Sequence, residues 1–112
     1  MTPLKLVETL PGSYSLLLNA GTTRVDGTVE ELGHEPNGYF WEGVARFLVG
    51  TEAKSLEGRV SYDPEGGMFC AYGTDRTALE ELGALLSAVA ADTDRMRALV
   101  ASAEATGFEF DD

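Results

Sequence analysis

The side chains able to do chemistry crowd into one segment. The only histidine and the only tryptophan both lie in His34-Glu35-Pro36-Asn37-Gly38-Tyr39-Phe40-Trp41-Glu42. An imidazole among carboxylates is the raw material of a general base or a metal ligand. A single histidine cannot build a His-Glu-x-x-His zinc helix, and a single cysteine, Cys70, excludes both a cysteine zinc site and an internal disulfide. The remaining metal set, His34, Glu35 and Glu42, has a simpler explanation. Glu42 stabilises a first helical turn through its dipole, and His34 hydrogen-bonds in a loop. Asp92-Thr93-Asp94 lacks the glycine and distal glutamate of a calcium loop. Cys70 lies in an apolar stretch, where thiols pack rather than react. No glycine pattern for cradling phosphates occurs. No cofactor, no metal and no catalytic residue are therefore expected, and the one enzyme reading available is a His34–Glu42 dyad.

Tyr39 and Trp41 suggest binding instead, since such side chains anchor interfaces with large apolar area and a polar tip. The elements around them must decide whether they face outward. Leu4–Thr9 and Ser13–Leu18 read as strands joined by Pro11-Gly12, whose proline presets one turn corner and whose glycine accepts the positive φ of the next. Thr28-Val29-Glu30-Glu31 matches a capping box, opening a helix of one or two turns that Gly33 ends. Pro36-Asn37-Gly38 then opens a stronger helix. Phe40, Val44, Phe47 and Leu48 form its buried stripe, Gly50 is placed to stop it, and Gly43 inside it implies close packing.

Leu56–Tyr62 alternates like a half-buried strand. Asp63-Pro64-Glu65-Gly66-Gly67 is a turn, and Met68–Tyr72 is apolar on both faces, the pattern of a central strand covered on both sides. Two helices follow, with stripes Leu79, Leu82, Leu86, Val89 and Met96, Leu99, Val100, Ala103. Asp75 or Thr74 can cap the first, and Asp92 or Thr93 the second. Phe108 and Phe110 alternate with acids as a short edge strand would, and Glu109–Asp112 reads as a solvated end. The expected fold is α+β: two β-hairpins forming a mostly antiparallel four-stranded sheet packed with three to four helices, in one domain over residues 1–112.

Composition narrows the partner. The chain of 112 residues carries 8 Lys+Arg against 19 Asp+Glu, a net charge of −11. Phosphate neutralisation is unavailable to such a surface, so nucleic-acid binding is not expected. The Met1-Thr2-Pro3-Leu4-Lys5 opening lacks a signal peptide's apolar run, and no apolar stretch reaches the ~20 residues of a membrane span. A cytoplasmic protein with no membrane contact is expected.

Gly33-His34-Glu35-Pro36-Asn37-Gly38-Tyr39-Phe40-Trp41-Glu42-Gly43-Val44-Ala45, with Tyr62–Gly73 and the Gly107-Phe108-Glu109-Phe110 ending, resembles the immunity protein 51 family. These are small cytosolic proteins associated with bacterial polymorphic toxin systems. The resemblance implies a non-enzymatic protein that binds and neutralises a cognate toxin; a monomer or a homodimer is expected, since exposed hairpin edges can pair. The acidity suits docking on a basic cleft, such as that of a nuclease. The candidate partner-binding face is Asp26, Glu30, Glu31 and Glu35, with Tyr39 and Trp41 as anchors; Glu57, Asp63 and Glu65 form a competing face. The alternative is a small ligand-binding or regulatory α+β module with a pocket near His34, Tyr39 and Trp41.

Overall fold

The structure, a computed structural model, describes residues 3–112; the opening Met1-Thr2 lies outside it. Four strands, β1 (Lys5–Leu10), β2 (Ser13–Asn19), β3 (Ser61–Tyr62) and β4 (Met68–Gly73), form one antiparallel sheet in the order β1-β2-β4-β3. Helices α1 (Asp26–Glu31), α2 (Gly38–Glu52), α3 (Arg76–Ala90) and α4 (Thr93–Ala105) complete the α+β fold. The two hairpins meet through β2 and β4, which pair from Tyr14↔Gly73 to Asn19↔Met68. In the first hairpin Gly12 adopts a φ of 81°, the corner that only glycine accepts cheaply.

All helical cover lies on one face. Helices α2 and α3 pack on the sheet, α4 packs on α3, and α1 rests on α4. Leu16, Leu18, Phe69 and Ala71 point from the sheet into this core and are buried. Phe40, Val44 and Leu48 of α2 meet them, each fully buried and each worth about 1.5–3 kcal/mol against exposure. The stripes of α3 and α4 are likewise buried. Each of the three long helices starts at a side-chain cap: Asn37, Asp75 and Asp92 accept bonds from first-turn amides of α2, α3 and α4. Among the described residues no helix is long and apolar enough to cross a membrane.

Several expectations need correction. Strand β4 is central but covered on one side only, leaving Met68 and Tyr72 exposed on the other. The long strand expected over Leu56–Tyr62 shrinks to two residues, because Lys54–Leu56 forms a 3-10 turn that buries Leu56. Thr28 does not cap α1. That helix starts two residues earlier, Thr28 is buried within it, and the Thr23 hydroxyl instead donates to Asp26 Oδ1 (2.6 Å) and accepts from the Val25 amide. Gly50 does not stop α2, which continues to Glu52 before Ala53 closes it onto the Leu48 carbonyl. Nor do Phe108 and Phe110 join an edge strand; residues 108–112 carry no regular structure.

The tightest join between sheet and helix is at Gly38. Its amide donates to the Gly66 carbonyl (3.0 Å) in the β3–β4 turn, and a Cβ there would collide with the backbone carbonyls of Glu65 and Met68. Gly50, by contrast, faces open space inside α2. Gly38→Ala is expected to destabilise by about 3 kcal/mol or more, as overpacking against backbone does. Gly50→Ala is expected to stabilise by about 0.5–1 kcal/mol through helix propensity. Urea midpoints of the two variants against the parent check both signs.

Candidate functional site

The segment containing His34 and Trp41 is a junction of four elements. Helix α1 ends where Gly33 adopts a φ of 87°, and the His34 amide turns back to the Val29 carbonyl at 3.1 Å. Asn37 then caps α2, its Oδ1 accepting from the Phe40 amide at 2.9 Å. The β3–β4 turn is pinned against this point by Gly38, and the Ala20 amide, just past β2, donates to the Gly67 carbonyl at 3.0 Å. Between them lies a shallow depression of about 300 Å³ lined by Glu30, Glu35, Pro36 and the Gly66-Gly67 turn.

The six proposed partner residues do not share one role. Glu30 and Glu35 are exposed at this depression and make no ion pair among the described residues. Glu31 is exposed but bound to Arg97 at 2.6 Å. Asp26 is half-buried and holds the start of α1 through Thr23. Tyr39 is 42% exposed, whereas Trp41 is completely buried. Two helical residues two apart point about 200° away from each other, so Tyr39 and Trp41 cannot anchor one partner together. Trp41 is core, and it is withdrawn as an interface anchor.

The competing face separates too. Glu65 lies in the turn pinned to Gly38, but it is paired with Met68 across that turn and so belongs to the uncovered side of the sheet, not to the face of Glu30 and Glu35. Asp63 sits on the same uncovered side, near Cys70 and Tyr72. Glu57 lines a third depression with Arg46 and Tyr62. The Arg46 guanidinium lies 4.7 Å from the Tyr62 ring centroid. Burial raises the Tyr62 hydroxyl pKa, partly offset by that cation.

Neither catalytic nor pocket readings of His34 find their geometry. Its Nδ1 lies 3.0 Å from Asp112 Oδ1, while Glu42 is paired with Arg46 at 2.7 Å, so the dyad is not made. The space beside the imidazole is filled by Phe40 and Phe110, whose ring centroids lie 5.5 and 5.0 Å away. No group of three or more metal-ligating side chains forms among the described residues.

Sequence reasoning missed the C-terminal tail. Far from a solvated end, residues 107–112 strap back over α2. Phe108 meets Phe47 edge-on, and Phe110 stacks on Phe40 with centroids 4.9 Å apart. Gly43 is the notch that admits it: a Cβ there would stand 2.6 Å from Phe110 Cδ1. Asp112 closes the strap, its Oδ2 accepting from the Glu35 amide at 2.7 Å and its Oδ1 facing His34. Its side chain is 12% exposed. Burial works against its ionised form, yet the Glu35 amide and His34 outweigh it and hold the carboxyl below the usual aspartate range. The legible signals were Gly43 in mid-helix and the Phe-x-Phe spacing after Gly107.

A family model described as immunity protein 51 matches residues 4–105, from the start of the sheet to the end of α4. No curated protein and no solved structure matches the chain.

The strap is testable by itself. A carboxyl whose folded pKa is lowered contributes stability above its unfolded value, near pH 4, and loses it as pH falls through the folded pKa. Protection of the amides at Glu35 and residues 108–112, relative to the intrinsic exchange rate at each pH, is therefore expected to fall on acidification below about pH 4. Asp112→Asn abolishes that protection at neutral pH and removes its acid dependence. Gly43→Ala expels Phe110 and exposes the same amides, with α3 and α4 unaffected.

Proposed function

The chain belongs to the immunity protein 51 family, and we propose that it binds and neutralises a cognate bacterial toxin by occlusion, making and breaking no bonds itself. The observation that carries this reading is the family match across nearly the whole described fold. Supporting it, the side chains that might have catalysed a reaction are committed elsewhere: His34 to Asp112, Glu42 to Arg46.

The contact surface in this reading is the junction of α1, the start of α2 and the β3–β4 turn. Glu30 and Glu35 supply carboxylates there that make no ion pair among the described residues, Glu31 borders them, and exposed Tyr39 is the aromatic anchor. Asp26 acts indirectly, by fixing α1. Carboxylates without intramolecular partners keep their full attraction for an incoming cationic surface. They steer encounter and match charge, and they lose no existing ion pair on binding. A toxin with a basic substrate cleft, as in a nuclease that acts in the cytoplasm, fits such a face. The toxin-neutralising reading is preferred over a ligand module because Phe40 and Phe110 occupy the space beside His34 that such a pocket would use.

The test pairs this protein with the toxin encoded beside its gene. Glu30→Lys, Glu31→Lys and Glu35→Lys combined are expected to weaken the complex at least a hundredfold, to flatten its salt dependence and to abolish growth rescue. Tyr39→Ala is expected to cost about 2 kcal/mol of binding, whereas Glu104→Lys, on the far end of α4, changes nothing. Unchanged affinity and salt dependence in the triple variant would remove this face, and turnover of a substrate by the purified protein would remove the mechanism.

A further inference from the structure

The sheet presents its second face uncovered. Directly paired residues of antiparallel strands share a face, so the registers Lys5↔Leu17 and Leu17↔Cys70 set three side chains in one row across it. The Asp63 amide donates to the Cys70 carbonyl at 3.0 Å, extending the row to the far edge. Val7, Tyr72 and Met68 flank it on the same face, with Tyr72 45% and Met68 37% exposed. Most of the surface of a chain at −11 is anionic. This face instead holds one cation, Lys5, at one edge and two carboxylates, Asp63 and Glu65, at the other, with Leu17, Cys70, Val7, Tyr72 and Met68 between them alongside the small polar Ser15 and Asn19.

We propose that this face is a self-association surface, on which a second copy of the chain packs sheet against sheet. The row is complementary to itself. A two-fold axis lying between the two sheets and running along the strands reverses it, so Lys5 meets Asp63 of the partner subunit and the apolar centres meet each other. Closed two-fold pairing of this kind is self-limiting, and sheets stack face to face with strands nearly aligned. The acidic junction, like-charged and unpaired, opposes itself and stays outside the contact. The centre is neutral at physiological pH: burial and the nearby Asp63 carboxylate both push the Cys70 thiol pKa up. Strands spaced about 4.8 Å apart and about 20 Å long give a patch on the order of 300 Å² in flat area. That is small against the ~800 Å² per partner of a standard interface, so the dimer is weak and reversible. The pairing does not depend on which toxin is bound, or on whether one is.

Sedimentation of the whole chain across micromolar to millimolar concentration tests it, with circular dichroism confirming that each variant is folded. The wild type is expected to pass from monomer to dimer. Lys5→Asp alone and Asp63→Lys alone each weaken the dimer about tenfold or more, since each sets like charges opposite one another twice per dimer. The double variant Lys5→Asp/Asp63→Lys recovers the wild-type constant. Tyr72→Glu, exposed and therefore tolerated by the fold, leaves a monomer. A wild type that stays monomeric overturns the proposal, as does a double variant no better than the singles. So does a monomeric wild type in which Tyr72→Glu reduces toxin affinity, which would assign the face to the toxin instead.

Discussion

The seating of Gly38 under the carbonyls of Glu65 and Met68 is the contact on which the rest of the functional geometry depends. It joins the first turn of α2 to the β3–β4 turn with no side chain between them. That closeness brings Gly66 and Gly67 beside Glu35 and Pro36, though about thirty residues of chain separate them. It also sets the rotation of α2 about its axis. With that rotation fixed, Phe40 and Trp41 enter the core, Tyr39 faces outward, and Gly43 turns its bare backbone toward the tail. A side chain at position 38 would lift the helix and disturb every one of these placements together.

The charge distribution follows from how few cations there are. Five of the eight Lys and Arg residues, Arg46, Arg59, Arg76, Arg95 and Arg97, lie within salt-bridge distance of a carboxylate. Exposed pairs of this kind add little stability, but they decide where the unneutralised acid sits. Arg97 ties α4 to Glu31 and Arg95 ties it to Glu52, while among the described residues no salt bridge reaches Glu30 or Glu35. The sheet's open face carries almost none of the excess charge. One protein thus has an anionic region that repels its own copies and a nearly neutral one that does not. The proposed toxin docking and the proposed self-association would therefore use different sides of the molecule.

The strap adds a third constraint. Phe110 completes the packing around His34, and Asp112 binds the backbone at Glu35, one of the proposed contact residues. The tail therefore holds the loop between α1 and α2 in place. Histidine and carboxylate, which in the bare sequence suggested chemistry, are occupied with holding structure.

Much of this was readable in the chain itself, where local rules operate. The first hairpin turn, the side-chain caps of α3 and α4, the buried stripes of α2, α3 and α4, and the close packing at Gly43 each follow from residue type and spacing. They depend on hydrogen bonds and periodicity within a few neighbours. What local rules could not settle depended on distant partners. Whether both sides of an apolar strand are covered depends on where the helices land, so Met68 and Tyr72 proved exposed. Whether an acidic ending is solvated depends on a notch sixty-odd residues earlier in the chain. Tyr39 and Trp41 were separable by helical geometry once the helix was placed, and burial then assigned Trp41 to the core. Sequence alone determined the elements, the charge and the family resemblance. Only the folded structure decided which carboxylates lie together and which remain unpaired, because those are properties of contacts between segments that no short window of sequence contains.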